Sequence, residues 1–257
     1  MHCLILAAGR GQRLKPLTDD IPKCLVELHG VPILKHTLVS LKERNLNSNT
    51  VTVSGYKHHA LDKYLTSFGF SKSIYNHQWS SCNIGGSLLK GLHSMNTNEG
   101  VLVFYGDIIF ESSALDLALS KVRLNNQCSF VIASTNWKDL WSARFIDPLS
   151  DAESFNLNDN NQIYEIGQPL SCTDLLPDYQ FTGIYYLSPD IVRLLLSDHN
   201  TFYHQSSTDI LNHFCRFKTI NAVPWAGEWI EIDTASDITV SLNQRSSLSR
   251  LIKSDLQ

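Results

Sequence analysis

Near the N-terminus, residues 4–23 read LILAAGRGQRLKPLTDDIPK, and this segment sets the fold class. It starts as a continuous apolar run, which is typical of a strand buried on both faces of a parallel sheet. The run then breaks at small residues into a polar loop that contains Gly9 and Gly11. A loop of this kind at a strand end presents backbone amides to a phosphate, and Arg13 and Lys23 add fixed positive charge. The segment therefore predicts a binding site for a polyanion.

The loop lacks the residues that two other phosphate-binding motifs require. A dinucleotide fingerprint needs a third glycine near position 14, where Leu14 stands, and a Walker loop needs Gly-Lys-Ser or Gly-Lys-Thr at its end. An ordinary strand-to-helix turn remains an alternative from loop composition alone. The loop's length argues against it, since about thirteen residues without an apolar period near the front of a domain are usually functional.

The composition indicates a globular chain with little net charge. It has 257 residues, 43% of them hydrophobic, and a formal net charge of −4, which suits one large α/β domain. Binding to a nucleic-acid backbone needs a basic face, so nucleic acid is not expected as a partner. No apolar run reaches membrane-spanning length, no leader precedes the first strand, and the cysteines form no C-x-x-C pair. We expect a reduced, cytoplasmic protein with no membrane partner, and the oligomeric state stays open.

Strand-like and helical segments alternate along the chain. Pro32 begins a helical pattern, residues 50–53 form a short apolar strand, residues 58–68 form an amphipathic helix, and residues 73–75 form another strand. This alternation predicts a Rossmann-like, doubly wound α/β fold with a mostly parallel mixed sheet. Residues 135–161 are less regular and predict a small antiparallel extension with an exposed turn.

A second small-residue motif, NIGGS, occupies residues 83–87. It stands just before an apolar helical run, so we expect it to place free backbone amides at a helix N-terminus, where a nucleotide can be held. Simple helix capping is the alternative.

Carboxylates stand at the ends of two predicted strands. Asp107 follows an apolar strand at its carboxyl end, where open parallel sheets bind ligands and where a carboxylate can hold Mg²⁺. A lone aspartate in such a place also serves as a turn former. In an extended segment Glu231 and Asp233 point to one face, and two negative charges at close range need a cation or water between them. The Thr-x-x-Asp spacing that ends at Asp237 is that of a helix cap, which predicts a structural role for Asp237.

The segments LAAGRGQR (6–13), PK (22–23) and GVPI (30–33) occur in this order. Together they resemble the signature of the nucleotidyltransferases that join a nucleoside triphosphate to a sugar phosphate or a small phosphorylated alcohol. The resemblance implies that Arg13 and Lys23 are catalytic and bind the phosphates, that pyrophosphate leaves, and that Asp107 and Asp233 hold Mg²⁺. The nucleotide-binding residues that it implies are Leu6, Ala7, Ala8, Gly9, Gly11, Arg13, Lys23, Gly86 and Ser87.

The resemblance also implies an organisation of the chain. It predicts a single nucleotidyltransferase domain over residues 1–257. Residues 1–134 form its nucleotide-binding half, residues 135–233 form an antiparallel acceptor-binding extension that carries the second metal ligand, and residues 234–257 form a C-terminal helix.

The acceptor is indicated by two further segments. Asn76-x-x-Trp79 followed by CNI (82–84) is similar to the branch that makes CDP-linked choline and aminoethylphosphonate. Hexose-activating relatives often carry Glu-Lys-Pro where this chain has GQP (167–169). The resemblance therefore favours CTP and a small phosphorylated or phosphonate acceptor, such as phosphocholine or 2-aminoethylphosphonate. The acceptor-binding residues that we predict are Asn83, Tyr185, Trp229 and Glu231.

Two alternatives to this function stay open. One is uridylyl or guanylyl transfer to a sugar 1-phosphate. The other, of a different class, is a non-catalytic regulator that binds a nucleotide without turnover.

Overall fold

The fold is described here from a computed structural model that covers residues 1–96, 98–171 and 174–243. The strands in this part of the chain are β1 (His2–Ala7), β2 (Glu27–Leu28), β3 (Val31–Pro32), β4 (Thr50–Ser54), β5 (Ser73–Tyr75), β6 (Val101–Tyr105), β7 (Ile108–Phe110), β8 (Ser129–Ser134), β9 (Glu153–Leu157), β10 (Ile163–Pro169), β11 (Gln180–Leu187), β12 (Ile220–Trp225) and β13 (Trp229–Glu231). The helices are α1 (Ile33–Glu43), α2 (His58–Ser67), α3 (Ile84–Leu92), α4 (Ser113–Leu124), α5 (Trp137–Arg144), α6 (Pro189–Ser197), α7 (His199–Phe202), α8 (Ser207–Cys215) and α9 (Ala235–Asn243).

A central sheet has the strand order β12-β8-β11-β6-β1-β4-β5. Strand β1 pairs in parallel with β4 and β6, β5 continues the parallel edge beyond β4, and β12 is parallel to β8. Strand β11 is antiparallel to both of its neighbours, β6 and β8. The sheet is therefore mixed and mostly parallel, which confirms the predicted fold class.

Side chains alternate along β1 and supply both faces of this sheet. Cys3, Ile5 and Ala7 belong to one hydrophobic cluster, together with apolar residues of α1, α2 and α4. Leu4 and Leu6 belong to a second cluster, together with residues of α3, α6 and α8. Helices thus cover both faces, and this is why the first strand is apolar without alternation.

Three antiparallel pairs lie outside the central sheet, and one of them is the short pair of β2 and β3. Strands β9 and β10 pair in the segment for which the sequence predicts an antiparallel extension. Strand β13 pairs with β7, with Glu231 opposite Ile108. Because β7 follows β6 directly after Asp107, this pairing brings the end of β13 to the carboxyl end of β6.

Helix α5 departs from the sequence prediction. The local pattern of residues 135–161 predicts irregular structure, yet Trp137–Arg144 is helical. Trp141 is buried and its ring lies 5.7 Å from that of Trp229, between centroids. Contacts with a distant strand stabilise this helix more than its local pattern does.

The end of the chain is described only in part. The predicted C-terminal helix over 234–257 is seen as α9, and residues 244–257 of that prediction lie outside the described residues. In the part of the chain that the structure describes, none of the helices has the length and apolar character needed to cross a membrane.

Candidate active site

The candidate active site lies where β1 and β6 end. These strands are parallel neighbours inside the sheet, so the glycine loop after β1 and Asp107 after β6 leave the same edge. The amide of Gly106 donates to the carbonyl of Leu6 at 2.9 Å. The amide of Ile232 donates to the carbonyl of Asp107 at 3.0 Å, which attaches the segment after β13 to the same edge.

Four charged side chains that the sequence singles out meet at this edge. Lys23 Nζ lies 2.5 Å from Asp107 Oδ2 and also donates to Asp233 Oδ1. Arg13 Nη2 lies 3.0 Å from the same oxygen of Asp233. Burial lowers the pKa of Lys23, but the charges of neighbouring carboxylates outweigh burial and hold that pKa above its ordinary value. The Lys23 side chain is only 11% exposed, whereas that of Arg13 is 65% exposed.

Gly11 makes this approach of Lys23 possible. Its φ is +71°, in the left-handed region that favours glycine, and a Cβ there would lie 2.8 Å from Cβ of Lys23. The carbonyl of Gly11 also accepts a hydrogen bond from Thr18 Oγ1 at 2.8 Å, which ties the loop together. At Gly9, by contrast, a Cβ would meet nothing within 4 Å, so the loop is open to a ligand there.

A third carboxylate, Glu231, joins Asp107 and Asp233. One oxygen from each of the three lies within 4.8 Å of the others. Burial, followed by the charges of Asp107 and Asp233, raises the pKa of Glu231 to about 8, although Lys23 acts against this. Carboxylate oxygens are the ligands that Mg²⁺ takes, and a divalent cation would relieve the repulsion among the three groups. The donor set therefore fits Mg²⁺, with Glu231, which the sequence assigns to the acceptor, as a further candidate ligand.

A cavity of about 300 Å³ opens beside these charges. The predicted site residues that line it come from three places: Leu6, Ala8 and Gly9 at the end of β1 and in the glycine loop, Asn83 and Ser87 at the start of α3, and Asp107 and Glu231 in the charged cluster. Ala7 points to the other face of β1 and lines a smaller space with Lys23, Gly106 and Asp107. The cavity thus joins the loop to the carboxylates.

Four further residues line the cavity wall: Trp79, Cys82, Ile84 and Tyr105. The first three belong to the Asn-x-x-Trp and CNI segments that indicate the acceptor, although none of them is among the predicted site residues. Tyr105 is the last residue of an apolar strand, and its sequence position carries no sign of a functional role.

The start of α3 corrects the prediction for Gly86. Asn83 is the N-cap and accepts from the amide of Ile84 at 2.8 Å, so Gly86 lies inside the first turn. The amide of Gly86 donates to the carbonyl of Asn83 at 3.0 Å. The prediction that this amide is free is therefore wrong. A Cβ on Gly86 would lie 2.6 Å from Cβ of Cys82, so glycine is needed here for close packing.

Two predicted acceptor residues are buried in the core. The Tyr185 side chain is fully buried, and its hydroxyl shares a hydrogen bond of 3.0 Å with Ser207 Oγ. Trp229 is 4% exposed and packs on Trp141. Neither residue lines the cavity, so the structure gives no support to the prediction that Tyr185 and Trp229 contact the acceptor.

The chain is similar to several known proteins. The sequence profile of the MobA-like NTP transferase domain matches residues 3–176. The CTP:phosphoglutamine cytidylyltransferase of Campylobacter jejuni is 29% identical over 261 residues, which cover 95% of this chain and 100% of the relative. The choline-phosphate cytidylyltransferase of Haemophilus influenzae is 39% identical over 83 residues, or 32% of this chain and 35% of the relative.

A solved structure supports the same fold. The inositol-1-phosphate CTP transferase from T. maritima superposes with a TM-score of 0.77 at 21% identity, covering 98% of this chain and 94% of that one. The profile match includes β1, the glycine loop, Lys23 and Asp107, and it spans well over half of the sequence. The chain therefore belongs to the MobA-like NTP transferase family.

Proposed function

We propose that the protein is a Mg²⁺-dependent cytidylyltransferase that transfers CMP from CTP to a small acceptor and releases pyrophosphate. The observation that carries this proposal is the meeting of Arg13 and Lys23 with Asp107, Glu231 and Asp233 beside the cavity of the glycine loop. The similar cytidylyltransferases of Campylobacter jejuni and Haemophilus influenzae support CTP as the triphosphate.

The reaction needs positioning and charge neutralisation. An oxygen of the acceptor's phosphate or phosphonate attacks the α-phosphorus of CTP, the bond to the β-phosphate breaks, and pyrophosphate leaves. Because the attacking oxygen is already anionic near neutral pH, the step requires no general base. Asp107, Asp233 and Glu231 would hold Mg²⁺, which stabilises the phosphate charge as a Lewis acid.

The side chains of Lys23 and Arg13 have different surroundings, and we assign them different roles. Lys23 is buried and held by two carboxylates, so its ammonium is fixed before a substrate arrives and suits the α-phosphate or the attacking oxygen. Arg13 is exposed for most of its length and suits the β- and γ-phosphates that depart. Both residues act by charge and neither has to transfer a proton.

The acceptor side of the cavity favours a molecule that carries a cationic nitrogen. Trp79 and Tyr105 provide aromatic surface in the cavity wall. An amino or quaternary ammonium group is attracted to the faces of such rings. We infer an acceptor such as phosphocholine or 2-aminoethylphosphonate, and the relatives named for choline phosphate and phosphoglutamine support this class.

Pyrophosphate release from CTP, UTP, GTP and ATP against a panel of acceptors tests the proposal. The panel contains phosphocholine, 2-aminoethylphosphonate, phosphoethanolamine, inositol 1-phosphate and glucose 1-phosphate. We expect the highest kcat/KM with CTP and a nitrogen-bearing acceptor. A preference for UTP or GTP with glucose 1-phosphate would place the protein among sugar-1-phosphate transferases. CTP binding without turnover on any acceptor would instead support the non-catalytic regulator.

Single variants test the assigned residues. Lys23→Met and Asp107→Asn should remain folded and lose about a hundredfold or more in turnover, since each removes charge from the reacting centre. Lys218→Met is the matched control, because Lys218 also pairs with a carboxylate, Asp190 at 2.8 Å, outside the cavity. Near-normal turnover in either site variant would contradict the assignment.

A further inference from the structure

The turn that carries Asp233 is held by one buried side chain, that of Asp237. Asp237 Oδ2 accepts from the amides of Asp233 at 2.9 Å and Thr234 at 2.7 Å, and from Thr234 Oγ1 at 3.0 Å. Thr234 precedes α9 as its N-cap, and Asp237 takes the N3 role of the capping box that the Thr-x-x-Asp spacing predicts. Here it also fixes the peptide of a residue in the charged cluster.

The other oxygen of Asp237 is bound by Arg144, the last residue of α5. Arg144 Nε donates to Asp237 Oδ1 at 2.8 Å, and the two side chains are only 2% and 1% exposed. The guanidinium lies over the rings of Trp141 and Phe145, at 5.0 Å and 4.8 Å from their centroids. Burial raises the pKa of Asp237, but Arg144 and the two backbone amides more than offset burial and keep that pKa below its ordinary value.

Helix α5 contacts both ends of this turn. Before the turn, Trp141 packs on Trp229 of β13, the strand that leads into Asp233. After the turn, Arg144 binds Asp237 in the first turn of α9. The segment between these contacts contains Glu231 and Asp233, which belong to the charged cluster. The position of Asp233 is therefore fixed by the contacts of α5 with β13 and α9, in addition to its ion pairs with Lys23 and Arg13.

We propose that Arg144 and Asp237 are positioning residues for the divalent cation: they fix the backbone of Asp233 so that its carboxylate faces Asp107 before the cation binds. This inference rests on the proposed function, in which Asp233 is a metal ligand. Neither Arg144 nor Asp237 lines the cavity. They act through Asp233, so their loss should weaken cation binding rather than the chemical step.

Mn²⁺ serves as the probe in place of Mg²⁺, because its free concentration is measured directly by electron paramagnetic resonance. Asp237→Asn keeps an oxygen for the amides but loses the charge that binds Arg144, and Arg144→Lys keeps the charge but changes the geometry. In each variant we expect Mn²⁺ affinity to fall about tenfold or more. At saturating Mn²⁺ we expect kcat to recover to within about twofold of the original protein, which a general loss of folded protein would not allow.

The matched controls are Arg44→Lys and Asp116→Asn. This pair has the same chemistry, with Arg44 Nε and Nη2 each 2.7 Å from an oxygen of Asp116, but it joins α1 to α4 and Asp116 is largely exposed. Its variants should bind Mn²⁺ like the original protein. Mn²⁺ affinity within about twofold of normal in both Arg144→Lys and Asp237→Asn would overturn the inference.

Amide hydrogen exchange tests the inference in the unmodified protein. This test remains available even if a variant fails to fold. The amides of Asp233 and Thr234 should exchange as slowly without Mn²⁺ as with it, because Asp237 holds them in both states. Fast exchange that becomes slow only when Mn²⁺ is added would overturn the inference.

Asp233→Asn separates this inference from the proposed function. If Asp233→Asn leaves Mn²⁺ affinity unchanged, the metal assignment fails and the inference fails with it. If Asp233→Asn abolishes binding while Arg144→Lys and Asp237→Asn leave it unchanged, only the inference fails and the proposed function stands.

Discussion

Among single residues, Lys23 has the most demanding environment in the site. Its ammonium is buried between Asp107 and Asp233, so replacing Lys23 with an uncharged residue removes the cation that both carboxylates share. In the proposed reaction this charge would be in place before the ligand binds, so little reorganisation would be needed. Gly11 is part of this arrangement because its missing side chain leaves room for the Lys23 stem.

Gly11→Ala should reduce both stability and activity, whereas Gly69→Ala should reduce stability alone. Both glycines have positive φ, +71° and +82°, where alanine costs about 1–2 kcal/mol. Only the Cβ at position 11 meets another side chain, at 2.8 Å from Lys23 Cβ, and nothing lies within 4 Å at position 69. Urea unfolding and pyrophosphate release measure the two effects. Equal turnover of the two folded variants would contradict the role given to Gly11.

At the scale of elements, α3 shows how close packing carries side chains into the cavity. A Cβ on Gly91 would lie 2.5 Å from Leu4 Cδ1, and the amide of Gly85 donates to the carbonyl of Gln205 at 2.9 Å. The glycines therefore let α3 lie directly against β1 on one side and the segment before α8 on another. This placement brings Asn83 and Ser87 to the cavity wall.

Asn83→Ala should destabilise the protein by about 1 kcal/mol, because α3 loses its N-cap acceptor. Asn83→Ser should retain most of that stability, since serine is also a good N-cap. Both variants remove the side-chain amide from the cavity wall. Thermal unfolding measures the effect on capping, and CTP titration measures the effect on ligand binding. Equal stability of the alanine and serine variants would show that the cap contributes nothing.

At the scale of the whole molecule, two cores on opposite faces of one sheet account for stability. The core that includes α1 also buries a titratable group, His36, which is 6% exposed. Burial, with a smaller effect of the Lys35 charge, lowers the pKa of His36 to about 4. The folded protein therefore holds His36 neutral over a pH range in which the unfolded chain protonates it.

Stability should fall as the pH decreases below about 6.5, the pKa of histidine in the unfolded chain. Between about pH 6.5 and 4 the unfolded state binds the additional proton, so the free energy of unfolding drops by about 2 kcal/mol from pH 8 to pH 5 on account of His36. Urea unfolding at the two pH values measures this drop. His36→Gln removes the titrating group and should flatten the dependence, and an unchanged pH dependence in that variant would contradict the assignment to His36.

Local patterns are sufficient for the parts of this protein that depend on neighbouring residues. The apolar run of β1, the small residues that end it, the order of Arg13, Lys23 and Asp107, and the cap spacing before Asp237 can all be recognised along the chain, because periodicity and turn chemistry act over a few positions. From these features the mostly parallel mixed sheet follows, and so does the edge at which Arg13, Lys23 and Asp107 meet.

Other features depend on contacts between residues far apart in the chain, and the strand order determines them. Helix α5 exists because Trp141 meets Trp229, and Arg144 finds Asp237 at a separation of 93 residues. The burial of Tyr185 and the grouping of Glu231 with Asp107 likewise depend on which strands are neighbours. Packing between strands depends on residues that are far apart in the sequence, and a pattern over a few positions does not contain it. Only the folded chain therefore shows which acidic and aromatic side chains reach the cavity.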